Sequence, residues 1–270
     1  MLKNQIKDKK VIAIFVKAPV PGKVKTRLVD EKMLSSKEAA SLAEAMFKDT
    51  ITLALKVDIQ SLCIGYHPKG QDYEIIKILD SLDLNIDALN IKLILHEQDG
   101  TNFDQRFSSV VKNLFNDGYE QIIIIGADLP YLDPKLIEIA FLKLKEDAKR
   151  VVIGPSGEGG VYLVGLTKNF NPDWFTDHDI FTGGIEISQF VKLRKKGFIS
   201  LFLLPPLFDI DVSEDLVSLI TILDPIYFSE ENMYYHYPEH TSNYIKELDL
   251  HVGYTIGETR KRFLKKNDDA

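Results

Sequence analysis

Residues 11–28 read VIAIFVKAPVPGKVKTRL. Val11 to Val16 form an unbroken apolar run of strand length without polar alternation, the signature of a strand covered on both faces. The chain then changes character: Lys17, Lys23, Lys25 and Arg27 fall within eleven residues, and Pro19, Pro21 and Gly22 stiffen the turn between them. A buried strand that runs into a kinked, charged loop is the opening of an α/β sheet, in which ligands sit beyond the carboxyl ends of the strands.

Outward from this stretch the hydrophobic period alternates. Short apolar runs of strand length lie at 61–65, 91–95, 121–125, 150–153, 160–164 and 199–203, bounded by glycine, proline or charge. Between them lie amphipathic stretches, the clearest at 35–55, where Ala39, Leu42, Ala43, Met46, Thr50 and Leu53 share one stripe and Ser35 and Glu38 form a capping box. Further helices are expected at 73–81, 103–115, 133–145, 185–194 and 213–223, with Asp133 and Ser213 as N-caps. The alternation predicts a Rossmann-like, doubly wound, mostly parallel sheet of about seven strands with helices on both faces. Residues 1–223 form the expected main domain, and residues 224–270 an extension that packs on it or makes a homodimer contact.

Composition narrows the partners. The 270 residues are 45% hydrophobic and 27% charged, which excludes a fibrous or wholly disordered chain. A net charge of -7 argues against nucleic acid, so any anion must meet a local basic site. Cys63 is the single cysteine and cannot form an internal disulfide. The run at 11–16 is too short for a membrane span and residues 1–10 are too polar to begin a secretory signal, so a cytoplasmic protein is expected.

Four loops carry chemistry. In the first, Lys23, Lys25 and Arg27 with backbone N–H groups suit a polyphosphate at the start of a following helix; a solvated basic turn is the competing reading, and a Walker ending is missing. The second, 126–133, places Asp128 after a strand, where a hard divalent cation finds a carboxylate and completes its shell with phosphate and water. The third, 154–162, has Gly157, Gly159 and Gly160 around Glu158, the one polar side chain there suited to acid–base work; a plain hairpin fits equally. In the fourth, Asp209 and Asp211 alternate on an extended segment, and Asp211 is a second metal candidate. The histidines share no zinc-ligand pattern, and the tail tyrosines Tyr234, Tyr235 and Tyr237 read as packing residues.

Together these loops resemble the nucleotide-diphospho-sugar transferase superfamily, of glycosyltransferase-A fold. They are most similar to the bacterial and archaeal transferases associated with radical-SAM and selenocysteine domains (DUF2064-like), with a more distant similarity to phospholactate and molybdenum-cofactor guanylyltransferases. The resemblance covers residues 11–216. The group's first loop, lysine-alanine-proline-x-x-glycine-x-x-lysine-threonine-arginine-leucine, is matched by Lys17, Ala18, Pro19, Gly22, Lys25, Thr26, Arg27 and Leu28. Gly126, Asp128 and Pro130 match its glycine-threonine-aspartate-x-proline. Residues 154–162 resemble its glycine-proline-x-x-aspartate-glycine-glycine-tyrosine, with Glu158 for the aspartate. Pro205, Pro206, Leu207, Asp209 and Asp211 resemble its closing segment. Two segments depart: glycine-aspartate-leucine-glycine-x-arginine is reduced to residues 101–106, ending in Arg106, and a tryptophan-serine-threonine segment to residues 181–188, which keep Glu186.

The resemblance implies a metal-dependent transferase with a nucleotide donor. Lys17, Ala18, Pro19, Gly22, Lys23, Thr26 and Arg106 would bind nucleotide and phosphate, Asp128 and Asp211 would hold Mg2+ or Mn2+, and Lys25, Arg27 and Glu158 would be catalytic. Gly159, Gly160, Tyr162 and Glu186 would contact acceptor or sugar, Glu186 being an alternative base to Glu158. Transfer of a sugar from a nucleotide-diphospho-sugar to a small acceptor is one expected reaction. Transfer of a nucleoside monophosphate from a nucleoside triphosphate to a phosphorylated small molecule is the other, and a nucleotide-binding protein without turnover is a third reading.

Overall fold

The apolar runs can be buried on both faces only if helices flank them, and helices do. The structure is a computed structural model that describes residues 9–30, 33–82, 84, 89–231, 234–258 and 261–266. Residues 1–8, which hold most of the polar start of the chain, lie outside the described residues. In chain order the elements are β1 (Lys10–Lys17), α1 (Ser36–Ala54), β2 (Ser61–His67), α2 (Asp72–Asp80), β3 (Lys92–Glu97), α3 (Phe103–Asn116), β4 (Gln121–Gly126) and α4 (Pro134–Glu146). Then follow β5 (Arg150–Pro155), β6 (Val161–Thr167), the single turn α5 (Trp174–Asp177), α6 (Glu186–Lys195), β7 (Ser200–Leu203), α7 (Ser213–Phe228), α8 (Glu239–Glu247), β8 (Leu250–Tyr254) and β9 (Arg262–Lys266).

Strands β1 to β7 form one sheet in the order β3-β2-β1-β4-β6-β5-β7, and β8 and β9 form a separate hairpin. All pairings in the large sheet are parallel except those of β6, which runs against both β4 and β5. All seven expected strands are present, and the sheet is α/β and mostly parallel. The reversal of β6 follows from its connection: residues 156–160 are too few for the crossover that a parallel neighbour needs.

Alternate strand residues face two separate cores. Ile12, Ile14, Ile123 and Ile125 pack with α1, α4 and α7, while Val11, Ala13, Phe15, Ile122 and Ile124 pack with α3, α5 and α6. Burying both faces of a strand requires the unbroken apolar sequence with which the chain opens.

The helix starts are built as the chain suggests, with one exception. Glu38 N–H donates to Ser35 Oγ and Ser35 N–H to Glu38, and Asp133 accepts from Lys135 N–H with Pro134 in the first turn. Ser213 is not an N-cap but the first residue of α7; the carboxylate of Asp215 reaches back instead and accepts from Asp211 N–H and Val212 N–H, both at 2.9 Å. Helix α7 also continues to Phe228, through Pro225 and past residue 223, where the sequence reading ends the domain. Among the described residues no helix is long and apolar enough to cross a membrane.

Candidate functional site

Parallel register brings the loops together. Lys17 is paired with His67 at the ends of β1 and β2, and Gly126 with Phe15 across β4. Because β6 is reversed, its first residue, Val161, lies at the same edge as the last residues of β4 and β5. Backbone bonds then fasten the loops: Ala18 N–H donates to His67 O, Ala127 N–H to Phe15 O, and Ile210 N–H to Asp128 O at 2.9 Å. The last of these places the 209–211 segment beside the end of β4.

Two adjoining cavities open at this edge. The larger, about 410 Å³, is lined by the aromatic rings of Phe15, Phe103, Phe107 and Phe181 and carries Lys17, His67, Gln98, Arg106, Asp128 and Asp209. The smaller, about 270 Å³, is polar and is lined by Lys17, Lys25, Thr26, Arg27, Asp128 and Asp211. Phe15, Val16, Lys17 and Asp128 belong to both, so one continuous space runs from an apolar end to a charged one.

At the charged end, Lys25 lies between two carboxylates. Its Nζ is 2.5 Å from Asp128 Oδ1, 2.8 Å from Asp211 Oδ1 and 2.5 Å from Ile210 O, and its side chain is 5% exposed. Burial by itself would lower the lysine pKa; the two aspartates outweigh burial and hold it above the ordinary value. Asp209 sits in the opposite situation: burial, reinforced by Asp211 and Asp128, raises its pKa.

At the apolar end, Arg106 lies over the Phe103 ring, and its Nε is buried without a partner. His67 Nδ1 is likewise buried without a partner, and burial together with Arg106 and Lys17 lowers its pKa, keeping the ring neutral near pH 7. Gln98 Nε2 donates to Gly65 O, which turns this side chain in from the end of β3. Such unpaired polar edges in an aromatic pocket suit a flat, hydrogen-bonding ring.

The structure thus gathers Lys17, Lys25, Thr26, Arg27, Arg106, Asp128, Asp211 and Tyr162 around one space. It does not bring in all the expected residues. Lys23 is exposed and, like Pro19 and Gly22, lines neither cavity, and Ala18 is buried in the core. The segment after the basic loop is a single 3-10 turn, Thr26–Leu28, rather than a helix, and Lys25 faces carboxylates rather than open space. Glu158 is exposed at the crest of its loop with φ +56°, and neither it nor Glu186, Gly159 or Gly160 lines a cavity. Tyr162 lines the larger one, but its hydroxyl donates to Pro205 O at 3.0 Å and its ring packs over Gly154. Among the described residues no group of three or more His, Cys, Asp or Glu is arranged to hold a metal ion.

Sequence reasoning passes over the roles of His67, Gln98 and the phenylalanine ring cluster. A signal exists for two of them: His67 and Gln98 are polar residues at the ends of the second and third strands, where ligands are expected. For the aromatic cluster there is none, since Phe15, Phe103, Phe107 and Phe181 come from three distant segments.

Comparison with known proteins bears on the fold. Residues 67–182 match the family described as an uncharacterized protein conserved in bacteria, DUF2064. No curated protein matches the sequence. A crystal structure from Desulfovibrio desulfuricans G20, provisionally assigned as a nucleotide-diphospho-sugar transferase, superposes with a TM-score of 0.72 at 25% identity, over 90% of this chain and 96% of that one. The 4-diphosphocytidyl-2C-methyl-D-erythritol synthase of Anaerococcus prevotii DSM 20548 has a TM-score of 0.55 at 13% identity, covering 80% and 97% of the two chains. A cytidylyltransferase of Leptospira borgpetersenii serovar Hardjo-bovis (strain JB197) has a TM-score of 0.50 at 15% identity, covering 89% and 95%. The last two share the fold alone.

Proposed function

We propose that this chain is a transferase of the nucleotide-diphospho-sugar transferase superfamily that moves a sugar from a nucleotide-diphospho-sugar to a small acceptor. The observation that carries the reading is the continuous pair of cavities, aromatic at one end and cationic at the other, meeting at Lys17 and Asp128.

In this reading the nucleoside enters the larger cavity, where Phe103 and Phe181 offer flat faces and His67, Gln98 and Arg106 offer hydrogen-bonding edges. The diphosphate lies towards the smaller cavity, where Lys17, Arg27 and the hydroxyl of Thr26 neutralise and bind its oxygens. As the bond to the anomeric carbon breaks, negative charge grows on the departing nucleoside diphosphate, and cations already in place favour that change. Asp128 and Asp211 offer hard oxygen donors already arranged around a cation, the Lys25 ammonium, so the residues present fit a divalent ion. When bound, such an ion would add Lewis-acid stabilisation of the same leaving group.

Segments 156–160, 177–186 and 209–215, which reach the larger cavity at Phe181 and Asp209 and adjoin it at Val161, carry Glu158, Asp177, Asp179, Glu186, Asp209, Asp211, Glu214 and Asp215 and contain no lysine or arginine. An acidic surround of this kind disfavours a phosphorylated acceptor and so supports sugar transfer. Transfer of a nucleoside monophosphate remains the second reading, favoured by the exposed cations Lys17 and Arg27, which suit pyrophosphate as a leaving group.

The test is thermal unfolding with a panel of nucleotide sugars and nucleoside triphosphates, with and without Mg2+ or Mn2+, because a ligand bound only by the folded state raises its stability. Selective stabilisation by one nucleotide sugar supports sugar transfer. Selective stabilisation by one triphosphate replaces it with the second reading, and no response to any compound refutes both.

A further inference from the structure

The Lys25 ammonium occupies the position at which Asp128 and Asp211 would meet a bound cation. Its three protons face three oxygens, Asp128 Oδ1 at 2.5 Å, Asp211 Oδ1 at 2.8 Å and Ile210 O at 2.5 Å. A magnesium ion on these oxygens would need them at about 2.0–2.1 Å, so the ammonium and the ion cannot share them. We infer that Lys25 is a resident cation that keeps Asp128 and Asp211 closed to a divalent ion until an anionic donor draws it away. This rests on the donor reading given above.

Three further features bear on release. First, Lys25 adopts φ +48° and ψ +36°, a left-handed conformation uncommon outside glycine and asparagine, so the residue does not sit there by local preference. The ion pairs at the end of its side chain hold it. Second, the smaller cavity lies beside the side chain and is lined by Lys25 itself with Thr26, Arg27 and Lys17, so there is space for the arm to move into. Third, Asp128 and Asp211 share this one ammonium as their cationic partner, and Asp209 lies two residues before Asp211 on the same segment. A diphosphate entering the cavity competes for the ammonium and adds negative charge near carboxylates that are then left without a counter-ion. Both effects favour uptake of a divalent ion, so donor and ion each tighten the other's binding, as linkage requires. The ion is thereby not retained in the absence of donor.

The experiment is Mn2+ binding to the full chain, read from the electron paramagnetic resonance signal of the free ion, without nucleotide and without turnover. Wild type is compared with Lys25→Met, Lys25→Met/Asp128→Asn and Lys17→Met. The inference expects Lys25→Met to bind Mn2+ alone more tightly than wild type by about tenfold or more, the scale on which a neighbouring charge alters a site. The double variant should lose the gain, and Lys17→Met, which removes a nearby charge that does not touch the carboxylates, should not reproduce it. Equal Mn2+ affinity in wild type and Lys25→Met overturns the inference. An equal gain in Lys17→Met also overturns it, because the effect is then one of field and not of occupancy. If Lys25→Met does not fold, Lys25→Gln carries the same comparison. Calorimetry of wild type with ADP, CDP, GDP and UDP separates the two failures. Nucleotide binding together with unchanged Mn2+ affinities sinks only the role of Lys25, and no binding of any nucleotide, with or without Mn2+, sinks the donor reading and the release step with it.

Discussion

The carboxylate of Asp104, buried in α3, holds Thr182 by both its N–H, at 3.0 Å, and its hydroxyl, at 2.5 Å, and accepts the preceding N–H of Phe181 at 2.8 Å. Asp49 in α1 repeats the arrangement at the start of α8, accepting from His240 N–H at 3.0 Å, Thr241 N–H at 2.7 Å and the Thr241 hydroxyl at 2.6 Å. In each case one buried helical aspartate fixes a distant Xaa-Thr pair. The first pair sets Phe181 into the larger cavity, and the second fastens the C-terminal extension.

Asp104→Ala and Asp49→Ala should therefore separate binding from stability. Each leaves two N–H groups and a hydroxyl without their carboxylate partner, which costs about 1–3 kcal/mol. Urea denaturation should show a similar loss for both. Nucleotide affinity, followed by calorimetry, should fall only for Asp104→Ala, because only that variant frees a residue lining the cavity. An equal affinity loss in Asp49→Ala would refute the assignment.

Lys17 and Lys23 both belong to the basic loop, but only Lys17 lines the cavities. Lys17→Ala should weaken nucleotide binding by about tenfold, the scale of one charge-assisted hydrogen bond. Lys23→Ala should change it by less than about twofold, since an exposed charge is screened. Titration calorimetry of the two variants under the same salt conditions decides between them.

Gly154 lies under the Tyr162 ring, and a methyl group there would enter the ring's van der Waals envelope. Gly154→Ala should destabilise by about 1–3 kcal/mol through overpacking and displace Tyr162 from Pro205. Tyr162→Phe, which loses one hydrogen bond and keeps the ring, should cost about 1 kcal/mol. Thermal unfolding of both variants checks the order.

The hairpin of β8 and β9 is tied to α1 by Lys266, whose Nζ is 2.6 Å from Glu38 Oε1. The hydrogen bond from Lys266, opposed by partial burial and assisted by Ser35, lowers the Glu38 pKa from 4.5 to about 2. A depressed carboxylate pKa contributes stability that is present above the ordinary value and lost as the pH falls through the depressed one. Lys266→Ala should hence be less stable than wild type by at most about 1 kcal/mol near neutral pH, as befits a partly exposed pair. The difference should shrink as pH falls from 4.5 to about 2. Urea melts across that range test it, and a difference that persisted at the acid end would count against the pairing.

Much of the candidate site is legible in the order of residues, and the part that is not follows a physical pattern. Asp128, Asp211, Lys17 and Arg27 follow strands or alternate on an extended segment, and local sequence marks those positions. Glu158 stands out in the sequence as the one polar side chain of its loop suited to acid–base work, yet it is exposed at the crest with a left-handed backbone, outside both cavities. Side-chain direction in a glycine-rich loop is set by backbone torsions that composition does not reveal. The hydroxyl of Ser213 suggests a cap, whereas Asp215, two positions on, performs the bonding from inside the helix.

Residue order alone settles the seven strands, the longer helices between them and the edge at which ligands are expected, because burial on both faces and helical periodicity are local properties of the chain; the single turn α5 is not among them. The direction in which the charges point is settled elsewhere. Lys25 reads as a phosphate ligand in a basic loop, and it becomes a partner of Asp128 and Asp211 because Ile210 N–H is bonded to Asp128 O, which carries the 209–211 segment to the loop from nearly two hundred residues away. Contacts of that length depend on how the sheet closes, and no local pattern encodes them.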